Sequence, residues 1–304
     1  MKILITGASG LVGSALVSAF SKDGHTVCRL IRPGAKTEGV SGAFDVSWNP
    51  DTGELGGAAV GAEAVVNLAG ASIAGGRWSE ARKKVLRESR VRTTRALVGA
   101  LEKMNARPSV LISASAIGYY GNRGDEQLNE ESAAGHDFLA SVAQEWEAEA
   151  LRAEALRTRV VLARFGIILA KEGGALPQMM RPFKLGVGGR LGPGTQWMSW
   201  VSLEDVVSVL RRALSTREMS GAINVVSPHP VTNREFTQVL ARVLHRPALI
   251  PAPAFALRLA LGREMADAML LASQRVLPQK LLSSGFSFAQ PELSRALHSV
   301  ISER

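Results

Sequence analysis

The chain holds one cysteine, Cys28, and two tyrosines, Tyr119 and Tyr120, in 304 residues. A lone thiol excludes an internal disulfide and a multi-cysteine metal site. Five dispersed histidines (His25, His136, His229, His245 and His298) form no HExxH pair, so no metal is expected. No apolar run reaches the ~18–20 residues that span a bilayer. The apolar burst within MKILITGASG is too short for a signal-peptide core and reads as a first strand. These absences make the cytoplasm the expected location. The sequence also lacks G-x-x-x-x-G-K-[ST] and G-x-S-x-G, which removes P-loop nucleotide hydrolysis and the nucleophile elbow of hydrolases.

Charge is present in excess of one sign. The net charge is +9 and the pI about 10.2. Such a balance attracts nucleic acid, anionic membrane or polyphosphate ligands. The Lys and Arg residues are scattered, however, and alternate with acids between Glu80 and Arg95. No basic stripe is interleaved with aromatics, so neither nucleic acid nor membrane is expected as a partner. A hydrophobic fraction of 46% excludes a disordered chain and supplies a sizeable core.

Strand-like and helix-like segments alternate through the first half. Lys2 to Thr6, Thr26 to Ile31, Phe44 to Trp48, Ala64 to Ala69, Ser109 to Ser113 and Arg159 to Ala163 read as strands. Leu11 to Lys22, one long helix over Ser79 to Met104, and Gly135 to about Arg157 lie between them. Strands separated by helices imply βαβ units, and hence an α/β, Rossmann-type, doubly wound parallel sheet. Residues 1–165 are expected to form that sheet, with 222–226 returning to it. Residues 166–304 are read as a smaller, mostly helical substrate-binding region, opening with a Gly/Pro-rich loop from Gly173 to Gly194.

Gly7, Gly10 and Gly13 stand in GASGLVG, between the first strand and the first helix. In that context the first glycine makes the tight turn. The second lets backbone approach a pyrophosphate, and the third allows close helix–strand packing. Ser9, Leu11 and Val12 lie where the free N–H groups of the helix start would face phosphates. The second strand ends in Leu30-Ile31-Arg32, with no carboxylate until Glu38. An acid there would bond a ribose 2′-OH; Arg32, helped by Lys36, suits a 2′-phosphate instead. NADP(H) is the expected cofactor.

TGASGLVG with Asn67-Leu68-Ala69-Gly70 resembles the extended short-chain dehydrogenase/reductase superfamily. Trp48-Asn49-Pro50, Arg77-Trp78, Ser89-Arg90-Val91, SASAIGYYG, Arg164-Phe165-Gly166, FKLGVGGRLGPGTQ and SWVSLEDV narrow the resemblance. They are similar to the atypical epimerase-family subgroup related to NAD-dependent epimerases/dehydratases. The resemblance implies cofactor contacts at Leu68, Ala69, Gly70 and Arg90, and a small-molecule substrate of unknown identity. Ser115 matches the superfamily's catalytic serine by position. Ser113 is the alternative for that place and is counted with the cofactor contacts.

The superfamily's proton donor is absent. A standard member uses Tyr-x-x-x-Lys, a phenol tuned by a neighbouring cation. Here Phe138 stands in the Tyr place and Val142 in the Lys place. Tyr119 and Tyr120 are candidates for a replacement acid, or for an aromatic wall. Arg164, Gln196 and Trp197 are candidate substrate-pocket groups. Two functions follow: an NADP-dependent oxidoreductase or epimerase with a substitute proton source, or a non-catalytic NADP(H) sensor. A homodimer stays open.

Overall fold

A computed structural model describes residues 1–34 and 42–302. Among them, seven parallel strands run in one sheet: β1 (Lys2–Thr6), β2 (Thr26–Ile31), β3 (Ala43–Asn49), β5 (Ala64–Asn67), β6 (Val110–Ala116), β7 (Arg159–Phe165) and β8 (Gly221–Val225). The short β4 (Glu54–Leu55) pairs antiparallel at the edge of β3. The order is β8-β7-β6-β5-β1-β2-β3-β4. Strand order reverses beside β1, where doubly wound sheets open a crevice at their carboxyl edge. This is the Rossmann-like parallel sheet that the alternating pattern predicts, and the strand near 222–226 does pair with β7.

The strands carry apolar residues on both faces. Ile3, Ile5, Val66 and Ile112 pack with Leu16 and Phe20 of α1 (Leu11–Lys22) and with residues of a helix at Leu203–Ser215. The alternate residues Leu4, Val65 and Leu111 face Leu97 and Leu101 from the other side. The central strands, covered on both faces, read as continuous apolar runs, whereas the edge strand β3 alternates.

The long helix expected over 79–104 is two helices, α2 (Glu80–Glu88) and α3 (Val91–Glu102). The break has a local cause. Ser89 Oγ accepts from the backbone N–H of Ala71 and donates to the carbonyl of Leu86, so its side chain competes with the helix ladder. Next come α4 (Phe138–Leu151), capped by Asp137, and α5 (Leu176–Lys184), a helix inside the stretch expected to be loop. Pro177 sits in the first turn of α5, and Leu176, Met180 and Phe183 give it a buried face that outweighs Pro182. After α6 (Leu203–Ser215) and α7 (Asn233–Leu244) follow α8 (Ala254–Leu261), α9 (Arg263–Met269), α10 (Gln279–Ser283) and α11 (Leu293–Ser302). Helices α5, α7 and α11 gather around Trp200 in a separate apolar cluster. Trp200 is fully buried there, and its role is packing.

The contact between β1 and α1 tolerates no side chain. A Cβ on Gly13 would lie 2.2 Å from the carbonyl oxygen of Gly7, and Gly7 itself has φ +65°. Gly13→Ala should therefore destabilise the fold by about 1–3 kcal/mol or more, read as a lower urea midpoint with an unchanged slope. An unshifted midpoint would mean that the helix can slide away from the strand.

Candidate functional site

Two cavities lie at the carboxyl edge of the sheet, and the Leu68–Ala71 segment borders one of them through Ala69 to Ala71. Thr6, the last residue of β1, organises that segment. Its hydroxyl accepts from the backbone N–H groups of Leu68 and Ala69 and donates to Asn67 Oδ1 at 2.7 Å. Asn67 in turn donates to Thr94 Oγ1 and Ser113 Oγ. Ser113 is fully buried within this network and reaches neither cavity.

The larger cavity, about 820 Å³, is a cleft lined by Gly7, Ala8 and Ser9 of the glycine turn, by Arg29 to Ile31 of β2 and Arg32 just after it, by Trp48 of β3 and Pro50 just after it, and by Ala69 to Ala71. A Cβ at Gly7 would stand 2.7 Å from the carbonyl of Leu68, so only glycine lets the two loops approach this closely. Gly10 and Leu11 face a neighbouring groove, and Val12 packs on the core. Arg32 is exposed at the cleft's end. No carboxylate lines the cleft among the described residues. Arg29, which the sequence did not single out, also lines it and pairs with Asp45 at 2.6 Å. Lys36 lies outside the described residues. The glycine cradle, the start of α1 and the exposed Arg32 fit a dinucleotide phosphate ester.

The smaller cavity, about 210 Å³, lies between β6, α4 and the α9 region. Val142, Trp146, Met198 and Met269 are among its apolar lining, and Trp197 and Phe165 also border it. Among the described residues, Arg90 is its one charged lining residue. The helix break at Ser89 turns Arg90 inward, where its guanidinium donates to the carbonyls of Leu86 and Ala71 and lies over Trp146. Burial, with the nearby charge of Arg82, pulls the Arg90 pKa down to about 10.

Ser115, Tyr120 and Arg164 are drawn beneath the cavity floor rather than into it. Ser115, Arg164 and Asn224 stand in one row across β6, β7 and β8. Ser115 Oγ donates to Glu147 of α4 at 2.6 Å, and Arg164 forms a forked pair with the same carboxylate, its two nitrogens each 2.8 Å from an oxygen. The two side chains are 5% and 6% exposed. Tyr120 donates to Asn224 Oδ1 at 2.7 Å and accepts from Arg164 at 2.9 Å. Burial pushes its phenol up to about 12 against the opposing pull of Arg164. Tyr119 lies with its ring 3.5 Å from the same guanidinium. Neither tyrosine is among the residues that line the cavity. Gln196 sits behind the wall, bonded to the carbonyls of Leu191 and Leu270. Phe138 packs against Trp78 and beneath Lys83. The glutamate was not found from sequence because only its register against Ser115 and Arg164 makes it an anchor.

With the fold and the two cavities in place, comparison with known proteins defines the class. The chain belongs to the NAD dependent epimerase/dehydratase family, whose model matches residues 3–226. Residues 252–300 match a domain of unknown function, DUF1731. An epimerase family protein of Mycobacterium leprae is 42% identical over 97% of this chain and 94% of its own. The epimerase family protein YfhF of Bacillus subtilis is 38% identical over 100% and 99%. Among solved structures, human epimerase family protein SDR39U1 (isoform 2) with NADPH is similar at a TM-score of 0.88, with 31% identity over the whole of both chains. UDP-glucose 4-epimerase of Thermotoga maritima shares the fold at a TM-score of 0.80 and 16% identity.

Glu147→Gln should cost about 3–5 kcal/mol in chemical denaturation, because it strands a buried guanidinium. A loss under 1 kcal/mol would show that water reaches the pair. Because the Tyr120 phenol is raised in the folded state, its contribution is intact below pH 10 and falls away as pH rises toward about 12. Tyr120→Phe should abolish that part of the alkaline decline in stability.

Proposed function

We propose that this protein binds NADP(H) in the larger cleft and acts as an oxidoreductase or epimerase-type enzyme on a small molecule held in the smaller cavity. The observation that carries the reading is the exposed Arg32 at a cleft that starts at the glycine turn and whose lining, among the described residues, holds no carboxylate. The NADPH in the human relative's structure supports it. Gly7 and Ser9 with the start of α1 would hold the pyrophosphate. Arg32 would hold the 2′-phosphate, and Ala69 and Gly70 would give the clearance between them. When bound, the dinucleotide would supply or accept hydride.

The chain's own residues bind and orient the cofactor and the small molecule. Proton delivery falls to solvent, since Phe138 and Val142 carry no proton and the phenol of Tyr120 is buried and bonded on both sides. Ser115 acts as a positioning residue for Glu147. That same missing pair favours a second reading, a sensor that responds to the cofactor's redox state without turnover. A sensor must bind NADPH and NADP⁺ unequally, because a ligand shifts only states it distinguishes.

Fluorescence titration with NADPH, NADP⁺, NADH and NAD⁺ tests the cofactor assignment. NADPH should bind well above NADH. Arg32→Ala should weaken NADPH by about 10- to 100-fold, the worth of a charge-assisted bond, and leave NADH unchanged. Equal affinity for the two reduced forms would overturn the NADP(H) assignment.

A further inference from the structure

Exposed apolar side chains are concentrated in one part of the C-terminal region. Of the eleven large apolar residues exposed among the described residues, six lie at 185–187 and 249–259. Leu185 is 78% exposed, Leu249 82%, Phe255 72% and Leu259 77%, with Val187 and Ile250 beside them. The backbone joins these stretches. Ile250 N–H donates to the carbonyl of Gly188, Ala252 N–H to that of Arg190, and Gly192 N–H to that of Ala252. Helix α8 follows directly, and Phe255 and Leu259 stand four residues apart on one side of it. Its sequence, AFALRLAL, is apolar but for Arg258, yet it buries none of its residues. A helix apolar all round is normally covered, and this one is not.

The charge of the same region is one-sided. Gly173 to Leu203 and Phe236 to Arg263 contain no Asp or Glu, and they carry three and four Lys or Arg respectively. The alternation of signs along Glu80 to Arg95 is absent here, and packing of α5 with α7 sets the two acid-free stretches together. The acids that follow on α9 are occupied: Asp267 pairs with Arg258 and Arg263, and Glu264 with Lys83. Arg181, Lys184, Arg242 and Arg246 are exposed and form no ion pair among the described residues. Lys184 adjoins Leu185, and Arg246 lies three residues before Leu249.

That combination selects among partners. A second copy of the chain, brought up across a two-fold axis, would set cations against cations. A nucleic-acid backbone would take the cations and leave Leu185, Leu249 and Leu259 in water. A folded protein needs a face of fixed shape, whereas these side chains protrude and line neither cavity described above. An anionic bilayer suits every feature. Protruding apolar side chains enter the acyl boundary, the cations meet lipid phosphates, and no unpaired carboxylate opposes them. No described helix is long and apolar enough to cross a membrane, so the contact is one of lying on the surface.

We propose that this face, built on Leu185, Leu249, Phe255 and Leu259, docks on a bilayer that carries anionic lipid. It reverses the expectation of no membrane partner that the scattered Lys and Arg suggest, because the clustering is in space rather than along the chain. The face continues to the small cavity, since Leu191 is bridged to Ala252 and also lines that cavity. Docking brings that edge of the cavity next to the lipid, and it does so whether or not NADP(H) is the cofactor.

Co-sedimentation of the full chain with vesicles tests this. One set is phosphatidylcholine alone and the other is equal parts phosphatidylcholine and phosphatidylglycerol. The anionic vesicles should bind at least about tenfold tighter, and added salt should weaken that binding. The double variant Phe255→Ser with Leu259→Ser keeps the net charge of +9 and should lose about tenfold or more in affinity. Phe44→Ser, which removes an exposed phenyl ring from β3, should stay within about threefold of the unaltered chain. Lys184→Gln with Arg246→Gln should cost about tenfold or more. Thermal unfolding checks that each variant is folded, and the comparison of the two vesicle types needs no variant. Equal binding to both vesicle types, or no binding to the anionic ones, would overturn the proposal. Full binding by the Phe255→Ser, Leu259→Ser chain would overturn it too, since net charge alone would then account for the contact. So would a dimer, seen by light scattering, that the same variant dissolves, because the face would then belong to a second copy.

Discussion

The buried pair between Arg164 and Glu147 fixes the floor on which the rest of the site stands. It joins β7 to α4, takes in Ser115 from β6, and through Tyr120 reaches Asn224 on β8. Three strands, one helix and the turn at Ile117–Tyr120 are therefore locked at the carboxyl edge of the sheet by a single charged cluster. Burying two charges gains little net stability over an apolar filling. What it does give is one geometry: a forked guanidinium and a carboxylate that also accepts a hydroxyl proton have few alternative arrangements. Since α4 supplies Val142 and Trp146 to the cavity wall, that geometry also sets the cavity's shape.

A second polar row does the same work beside the cofactor cleft. Thr6, Asn67 and Ser113 stand opposite one another on β1, β5 and β6, and Thr94 with Trp146 closes the network from the helices. Each side chain in it has at least one hydrogen-bond partner, which a fully buried polar group requires. The hydroxyl of Thr6 then aims the Leu68–Ala69 backbone at Gly7. The two rows share Trp146 and α4 as a common boundary, so the cleft and the cavity keep a fixed separation, with Arg90 between them.

Much of this was legible in local sequence, and what was not has a physical reason. Glycine spacing after a strand reports a backbone constraint that is satisfied within seven residues, so Gly7, Gly10 and Gly13 could be placed without tertiary information. The apolar runs of the sheet were likewise readable, because both faces are covered. Ser115 and Tyr120 read as edge residues free to meet a substrate. Their partners, Glu147 and Asn224, lie 32 and 104 residues further on, and only strand register brings them together. The break in the 79–104 helix was hidden for a related reason. Charges alternating along Glu80 to Arg95 satisfy a continuous helix, and the stop comes from Ser89 bonding to Ala71, a residue outside it. The helix at Leu176–Lys184 was masked by its prolines, whose cost is met by burial of Met180 and Phe183.

The opposite side of the small cavity is held by weaker forces than its floor. Helix α9 lends it Met269, while α8, which precedes α9, buries none of its residues. The pair is tied to α2 and its approach by Lys83 with Glu264, and by Arg77 donating to the carbonyls of Leu259 and Ala260. Exposed contacts of this kind are worth roughly 0–1 kcal/mol each, against the several that breaking a buried pair costs. Met265 and Ala266 are the buried residues of α9, so that helix has a hold that α8 lacks. The site thus combines a rigid base, where Arg90 and the cleft must keep their spacing, with a cover at the low-stability end of the molecule. Local opening is cheapest where few apolar contacts must be broken. For a cavity that encloses its ligand, that is the side on which entry costs least.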